Sequence, residues 1–378
     1  AQAVQYNLAC KYFYSASCAL SSTSLVVLHK ETYRTAVDLF NLNCAVVQQA
    51  LSKALAVRKS ILSKFHKGKK AGKPKFRFLP VMYRQDSYRL LKIGSGFGLK
   101  ISPTRGYNQN IVLPLEIGEY QRSLLTLLAS GGARQGSGEL FKSKSGVWYF
   151  HMTLIIPCEK IEPSTVIGVD LGVVKLATVS NTDGTLNAFF DGRPMRWRRE
   201  RRAEVRSKLQ AAGRLSRVKR QKGKETRLMT YHNHVISKRI VQMAKSRESG
   251  IVLEELAGIR DRSKMGKKGN RMISSWTFRQ LISFIQYKAN LAGVQVQFVD
   301  PRNTSKECSK CHHTEKANRQ KQAIFKCKSC GFRCNADLNA SRNIARKGSM
   351  SVGQAPIENG SVAPRMAQGS MSTVQANL

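Results

Sequence analysis

Acidic residues are scarce in this chain: 23 Asp and Glu stand against 64 Lys and Arg over 378 residues, a formal net charge of +41. Such a balance draws in polyanions through phosphate neutralisation and counterion release. Long apolar runs are absent too. No stretch approaches the ~18 residues that cross a bilayer as a helix, which sets aside a membrane partner. The chain begins at Ala1 without a charged segment leading into an apolar one, so the expectation is a soluble cytoplasmic protein whose start is a fragment boundary. No internal repeat suggests a solenoid. The apolar share is 42%, ordinary for a folded protein, and the length suffices for two or three domains with a buried core.

What is present in excess then sets the partner. The cations are spread over the whole length rather than gathered in one tail, and nucleic acid is the partner that such a surface fits.

Nine cysteines form no repeating framework, which argues for a reducing compartment. Cys10, Cys18, Cys44, Cys158 and Cys334 are scattered. The other four stand as two CxxC pairs, Cys308 with Cys311 and Cys327 with Cys330, around a stretch of fifteen residues. Two such knuckles bring four thiolates to the corners of a tetrahedron and hold one structural Zn2+; four thiolates leave no open position for catalysis. Gly331 supplies the left-handed turn that a knuckle needs, and Lys306, Lys310, Lys326 and Lys328 offset the thiolate charge. His312 and His313 are alternative ligands or backbone contacts, and Cys334 is a packed spare.

Hydrophobic periodicity divides the rest. Residues 1–72 read as packed helices, with Val46, Val47, Leu51 and Leu55 at helical spacing, ending in the Lys/Gly/Pro segment 65–75, a loop that meets phosphate or a solvated linker. Residues 73–160 alternate short β-rich runs with Gly/Ser turns and suggest a small barrel-like domain. Residues 161–302 open on a hairpin, Thr165–Ser180, and continue through a basic helical hairpin over 195–249. That hairpin has a stripe of Leu209, Leu215, Val218, Leu228, Val235, Ile236, Ile240 and Val241. A strand at 251–256, a Gly/Lys loop, a helix from about Trp276 to Leu291 and a strand at 294–300 follow, an α/β alternation. The cysteine module is 303–334, a helical run 335–347 succeeds it, and the Gly/Ser/Ala/Gln-rich 348–378 is expected to be a disordered tail.

Three acids stand out. Asp170 ends an apolar strand, Glu254 sits late in another, and Asp337 opens the helical run. An acid among apolar strand residues is costly unless it pairs or binds metal. Two-metal phosphodiester hydrolysis needs carboxylates that converge from distant positions, with two Mg2+ about 4 Å apart. Singly, each has a plain reading: a turn residue before glycine, half of an ion pair, a helix cap. Of Glu254 and Glu255, strand alternation lets only one face a metal. His232-Asn233-His234 invites comparison with an HNH nuclease, but it lies in a helical stretch. Asp300 before Pro301 is a candidate fourth ligand or a turn residue.

Val166-Ile-Gly-Val-Asp-Leu-Gly172, Val252-Leu-Glu-Glu-Leu256 and Asn335-Ala-Asp-Leu-Asn-Ala-Ser-Arg-Asn-Ile344 resemble the three RuvC segments of TnpB proteins, and Thr304-Ser-Lys-Glu-Cys308 resembles the lead-in to that family's zinc ribbon. Type V CRISPR effectors are similar through the same core. The likeness is firm over 165–347. Upstream it rests on Lys73-Pro-Lys-Phe76 and Ser87-Tyr-Arg89 and becomes loose before residue 70. It implies an RNase H-like (RuvC) nuclease core with an inserted zinc ribbon, preceded by a helical recognition module and a β-barrel-like wedge. It also implies that Asp170, Glu254 and Asp337 bind Mg2+ as catalytic acids. The whole would be a transposon-encoded, RNA-guided DNA endonuclease of the prokaryotic cytosol, acting with guide RNA on target DNA, as a monomer with its RNA. By the same resemblance Glu254, not Glu255, takes the catalytic slot. Two departures stand out: no first strand precedes the helices, and Asn335-Ala336 replaces an acid or His followed by Arg. The rival classes are a DNA-binding protein without cleavage and a DNA transposase. Arg-rich 196–227 and the Lys loop 264–268 are the expected grips on nucleic acid. Tyr83, Tyr88, Trp197 and Trp276 are stacking candidates, although core packing is the plainer role for them.

Overall fold

A computed structural model describes residues 1–106, 109–143, 145–160, 162–221, 223–255, 278–352 and 371–376. Two compact units divide it: Ala1–Pro157 with the strand Met371–Ala376, and the described residues from Cys158 to Val352.

The first unit leads with α1 (Gln2–Ala19), α2 (Leu25–Leu39) and α3 (Cys44–His66). Side chains close two of the helix starts: Ser24 accepts from the Val27 amide and Asn43 from the Ala45 amide, satisfying donors that a first turn leaves unpaired. Tyr6, Cys10 and Phe13 of α1 are buried with Val46, Val47, Ala50 and Leu51 of α3, the spacing of three and four that puts them on facing stripes.

The strands β1 (Val81–Tyr83), β2 (Tyr88–Ile93), β3 (Gly96–Ile101), β4 (Ile111–Glu116), β5 (Arg134–Lys142) and β6 (Trp148–Ile155), with α4 (Glu119–Ala129) between β4 and β5, follow. Together with Met371–Ala376 they form one antiparallel sheet, ordered β1, β5, β6, Met371–Ala376, β4, β3, β2. Alternation along β6 buries Phe150, Met152 and Leu154 on one face. Barrel-like closure is corrected to an open sheet, since β1 and β2 stand at its two edges with no ladder between them among the described residues.

In the second unit β7 (Thr165–Asp170), β8 (Lys175–Asn181) and β9 (Asn187–Asp191) make an antiparallel meander. Three helices follow, α5 (Arg193–Ala211), α6 (Leu215–Gln221) and α7 (Lys224–Lys245); then come β10 (Ser249–Glu254), α8 (Phe278–Leu291) and β11 (Val296–Val299). β10 pairs parallel with β7, and β11 parallel with β10, so the order is β9, β8, β7, β10, β11. The ribbon hairpin β12 (Ile324–Lys326) and β13 (Arg333–Asn335) leads into α9 (Ala336–Val352). β7 and β10 are covered on both faces, which is why both read as unbroken apolar runs. Ile167, Val169, Ile251 and Leu253 pack with Ile240 of α7 and Leu281 and Ile285 of α8. Val166 and Val252 pack with Ile344 and Ala345 of α9.

The basic hairpin differs from expectation. Left-handed Gly213 and Gly223 break it into three helices, and among the described residues its apolar stripe is buried along α7, at Ile236, Ile240 and Val241, while Leu209 and Val218 are half-buried and Leu215 is exposed. Periodicity reported a helix there without reporting what covers it. The tail expected to be disordered from residue 348 is corrected at both ends: α9 runs to Val352, and Met371–Ala376 is a strand between β6 and β4. A ladder to β6 runs its whole length and a shorter one joins Gln375 and Ala376 to β4, so backbone pairing orders a segment of polar composition. The rest of that tail, Leu256, the Lys loop 264–268 and Trp276 lie outside the described residues. Among the described residues no helix is long and apolar enough to cross a membrane.

Candidate functional site

β7 and β10 run side by side in parallel register, Val169 opposite Leu253, so their next residues, Asp170 and Glu254, emerge together at the carboxyl ends of two neighbouring strands. Asp337 joins them from the first turn of α9. The helix can reach this place because two glycines let it lie against the sheet backbone. A β-carbon at Gly168 would overlap the Ser341 carbonyl oxygen and stand 2.5 Å from the Ala345 nitrogen, and one at Gly348 would collide with the Val252 side chain. Asn335, read from the sequence as a departure, fixes the start of α9: its Oδ1 accepts from the amides of Asp337 at 3.0 Å and Leu338 at 3.2 Å.

Electrostatics ties the acids together. Burial, then the charges of Glu254 and Asp337, push the Asp170 carboxyl up to about 8 against the opposing pull of Arg319. Glu254 is also raised, by burial, with a hydrogen bond from Thr304 and the charge of Lys347 acting the other way. Burial raises Asp337 as well, opposed by Arg319 and Lys175. Three carboxyls raised by burial, Asp170 also by the charges of the other two, gain from a hard divalent cation, for which carboxylate oxygens are the matching donors. Their oxygens are not drawn as tightly together as the cysteine sulfurs. Glu255 is exposed, as expected, and its amide bonds the Val299 carbonyl. Asp300 takes its turn role: Oδ1 accepts from the Arg302 amide at 2.9 Å.

The four cysteines converge. All four sulfurs lie within 4.8 Å of one another, with Cys308 and Cys330 at 3.7 Å and Cys311 and Cys327 at 3.5 Å. Tetrahedral Zn–S bonds of ~2.3 Å put sulfurs roughly 3.8 Å apart, so the cage is of the right size. The two knuckles repeat one geometry. His312 after Cys311 and Gly331 after Cys330 both adopt positive φ, +63° and +71°, and their amides return to the carbonyls of Cys308 and Cys327. Burial pushes the Cys308 thiol up to about 12, while the His313 amide and neighbouring thiols bring Cys311 down to about 7. The histidines are not substitute ligands: His312 Nδ1 faces Glu307 at 3.5 Å, and His313 Nε2 meets Glu315 at 3.1 Å. Cys334 packs beside Phe325.

Several residues of this site carry no obvious mark in the sequence. Thr304 Oγ1 donates to Glu254 at 2.5 Å, and Arg319, from the ribbon, reaches Asp337 at 3.5 Å. Asn339 and Asn343 tie α9 to the chain just before Cys308. Their signal was available: two asparagines four apart inside a helix, where asparagine is disfavoured, face one partner.

His232, Asn233 and His234 lie within α7, with Asn233 bonded to Gln280 at 3.0 Å and His234 stacked on Phe284. Tyr83 and Tyr88 are core residues whose hydroxyls bond Gln2 and the Gly136 carbonyl. Trp197 is 65% exposed on basic α5 rather than packed in the core.

Residues 155–252 match the family model described as "Probable transposase", and 278–344 match "Cas12f1-like, TNB domain". Over 114 residues, 30% of this chain and 26% of the relative, the sequence is 45% identical to the CRISPR-associated endodeoxyribonuclease Cas12f1 of Sulfoacidibacillus thermotolerans. A TnpB-like protein of Methanocaldococcus jannaschii is 33% identical over 126 residues, 33% of this chain and 45% of that one. The chain thus spans between about a quarter and a half of these relatives. A solved structure of a Cas12f1–sgRNA–target DNA complex superposes with a TM-score of 0.68 over 91% of this chain and 80% of that one, at 18% identity, which is a likeness of fold. Through two family models that match on either side of Glu254, and through these relatives, the chain is similar to TnpB-like and Cas12f1 proteins.

Proposed function

We propose that the protein is an RNA-guided DNA endonuclease with a single RuvC-like site in an RNase H-like core. It would hydrolyse phosphodiester bonds with two Mg2+ held by Asp170, Glu254 and Asp337. The observation that carries this reading is the meeting of three raised carboxyls, from three distant segments, at the ends of the two central parallel strands. The strand order β9, β8, β7, β10, β11 supports the RNase H-like assignment. A net charge of +41 suits a partner made of phosphate. One similar protein is named an endodeoxyribonuclease, and the solved neighbour is a complex with guide RNA and target DNA.

Metal bound among these oxygens supplies an activated water and a counter-charge for the leaving oxygen. The chain's own part is to hold Asp170 and Glu254 on rigid strand ends, to bring in Asp337 on a capped helix, and to fix one Glu254 oxygen through Thr304. The four cysteines would hold one structural Zn2+, since their sulfurs have the spacing of a closed tetrahedral set. Residues 1–72 and 73–160 would serve as recognition and wedge modules, α5–α7 as a grip on RNA or heteroduplex, and the working unit would be one chain with its RNA. Sequence specificity then comes mostly from base pairing.

The test is to purify the protein with its co-expressed RNA and compare wild type with Asp170→Ala on DNA matching that RNA, in Mg2+ and in EDTA. Cleavage of matched DNA by wild type only with Mg2+, with binding but no cleavage by the variant, is the expected result. Binding without cleavage by wild type would replace the reading with a guided DNA-binding protein.

A further inference from the structure

Between Glu254 and the first cysteine knuckle runs a continuous set of hydrogen bonds that the acid cluster does not by itself require. Thr304 is buried and donates from Oγ1 to Glu254 Oε1 at 2.5 Å. Its carbonyl accepts from Asn343 Nδ2 at 2.9 Å. The same amide reaches the Glu307 carbonyl at 2.7 Å, as does Asn339 Nδ2 at 2.7 Å, while Asn339 Oδ1 accepts from the Ser309 amide at 2.9 Å. The intervening turn is wound on Asn303, at φ +62°, whose carbonyl receives the amides of both Lys306 and Glu307. The Glu307 carboxylate pairs with Arg346 of α9, and Cys308 comes next.

Asn339 and Asn343 are fully buried inside α9. Asparagine is a poor helix former and its amide is costly to desolvate, so an alanine or leucine would serve packing better. Among the described residues Asn343 Oδ1 has no partner, and its amide end makes the hydrogen bonds at this position. The amides clasp residues 304–309 to the helix that carries Asp337, and that segment reaches in one direction to Glu254 and in the other to the cysteine cage. A carboxylate turns readily about its last torsion. With Oε1 engaged by Thr304, the other Glu254 oxygen is left to face a cation; without that hydroxyl the group must be ordered at the expense of metal affinity.

We propose that Thr304 is a positioning residue for Glu254, and that the Asn339–Asn343 clasp couples it to the four-cysteine site, so that a loaded ribbon raises the affinity of the acid cluster for a divalent cation. The inference rests on the reading of Asp170, Glu254 and Asp337 as a metal centre. The coupling is reciprocal: occupancy of either centre favours the other.

The experiment uses the full chain with its RNA and Mn2+ as the probe, bound Mn2+ being followed by electron paramagnetic resonance and zinc content by mass spectrometry. Thr304→Val, which keeps the shape and removes the hydroxyl, is expected to retain zinc and weaken Mn2+ binding about tenfold. It should shift the Mg2+ dependence of cleavage in the same direction, with binding of matched DNA unchanged. Thr304→Ser should restore both. Cys311→Ser should lower Mn2+ affinity too, and Thr304→Val on that background should add little, since the two act along one path. Mn2+ binding lost in Asp170→Asn but unmoved in Thr304→Val, or losses that add in full, would overturn the inference alone. Equal Mn2+ binding in wild type and Asp170→Asn would overturn the metal-centre reading and the inference with it.

Discussion

Gly168 of β7 and Ser341 of α9 meet backbone to backbone, so closely that a β-carbon on the first would overlap the carbonyl oxygen of the second. The contact sets how near the first turn of α9, with Asp337, comes to the ends of β7 and β10. Gly168→Ala is therefore expected to cost about 1–3 kcal/mol through overpacking, lowering the melting temperature by several degrees. It should reduce cleavage at least tenfold while binding of guide-matched DNA persists. A variant that melts and cuts like wild type would show that α9 does not rest on β7 in this way.

Asp170 gives a pH signature. Its carboxyl rises from 3.8 to about 8 in the folded chain, with burial first among the causes. The folded metal-free protein thus favours the protonated acid, a contribution fully present below about pH 4 and lost as pH climbs toward 8. Asp170→Asn cannot ionise. Free of metal it should melt higher than wild type at pH 8, by the equivalent of about 1–3 kcal/mol, and the difference should shrink toward pH 4. Added Mg2+ should raise the melting temperature of wild type and leave the variant where it was. Thermal melts across pH, with and without Mg2+, read both effects.

For the ribbon the expectation is one Zn2+ per chain by mass spectrometry, lost in Cys311→Ser. His312→Gly separates ligand from turn residue. The histidine sits at φ +63° and points at Glu307 rather than into the cage. Glycine there should keep the zinc and add about 0.5–1 kcal/mol by relieving the left-handed backbone. Loss of zinc in that variant would make His312 a ligand after all.

Trp197 is exposed on a helix with six arginines between 196 and 206. Trp197→Ala should leave the melting temperature within a degree or two and weaken RNA binding by about 1–3 kcal/mol if a base stacks there. Titration of the purified chain with its RNA, at one stated salt concentration, measures this.

The parts of the site legible in the sequence were the ones whose geometry is local. Cysteine knuckles need their ligands two residues apart, so Cys308, Cys311, Cys327 and Cys330 could be grouped by spacing alone, and the structure brings them together. Asp170 and Glu254 stood out because each closes a run of buried strand residues, and the parallel register sets them side by side. Thr304, Asn339 and Asn343 stand in the family-like segments with no role of their own, because their partners lie 30 to 50 residues away and one side-chain hydrogen bond leaves no periodic trace. The strand Met371–Ala376 escaped for a related reason. Its order comes from ladders to β4 and β6, while its own composition is that of a polar linker. The stripe through Leu215 failed in the opposite sense: a regular pattern promised burial that no element among the described residues provides at that position.

The acid cluster also carries a timetable. Asp337 follows Asp170 by 167 positions, and the helix that bears it comes after the whole cysteine module. A ribosome adding about 5–20 residues each second needs roughly 10–30 s to cover that distance. For the last roughly 5–20 s of that interval, after Lys245 closes α7, the nascent chain carries all its cationic helices and still lacks the third carboxylate. On the proposed reading, polyanion binding by those helices is available to the growing chain before the metal-binding set of three acids is complete.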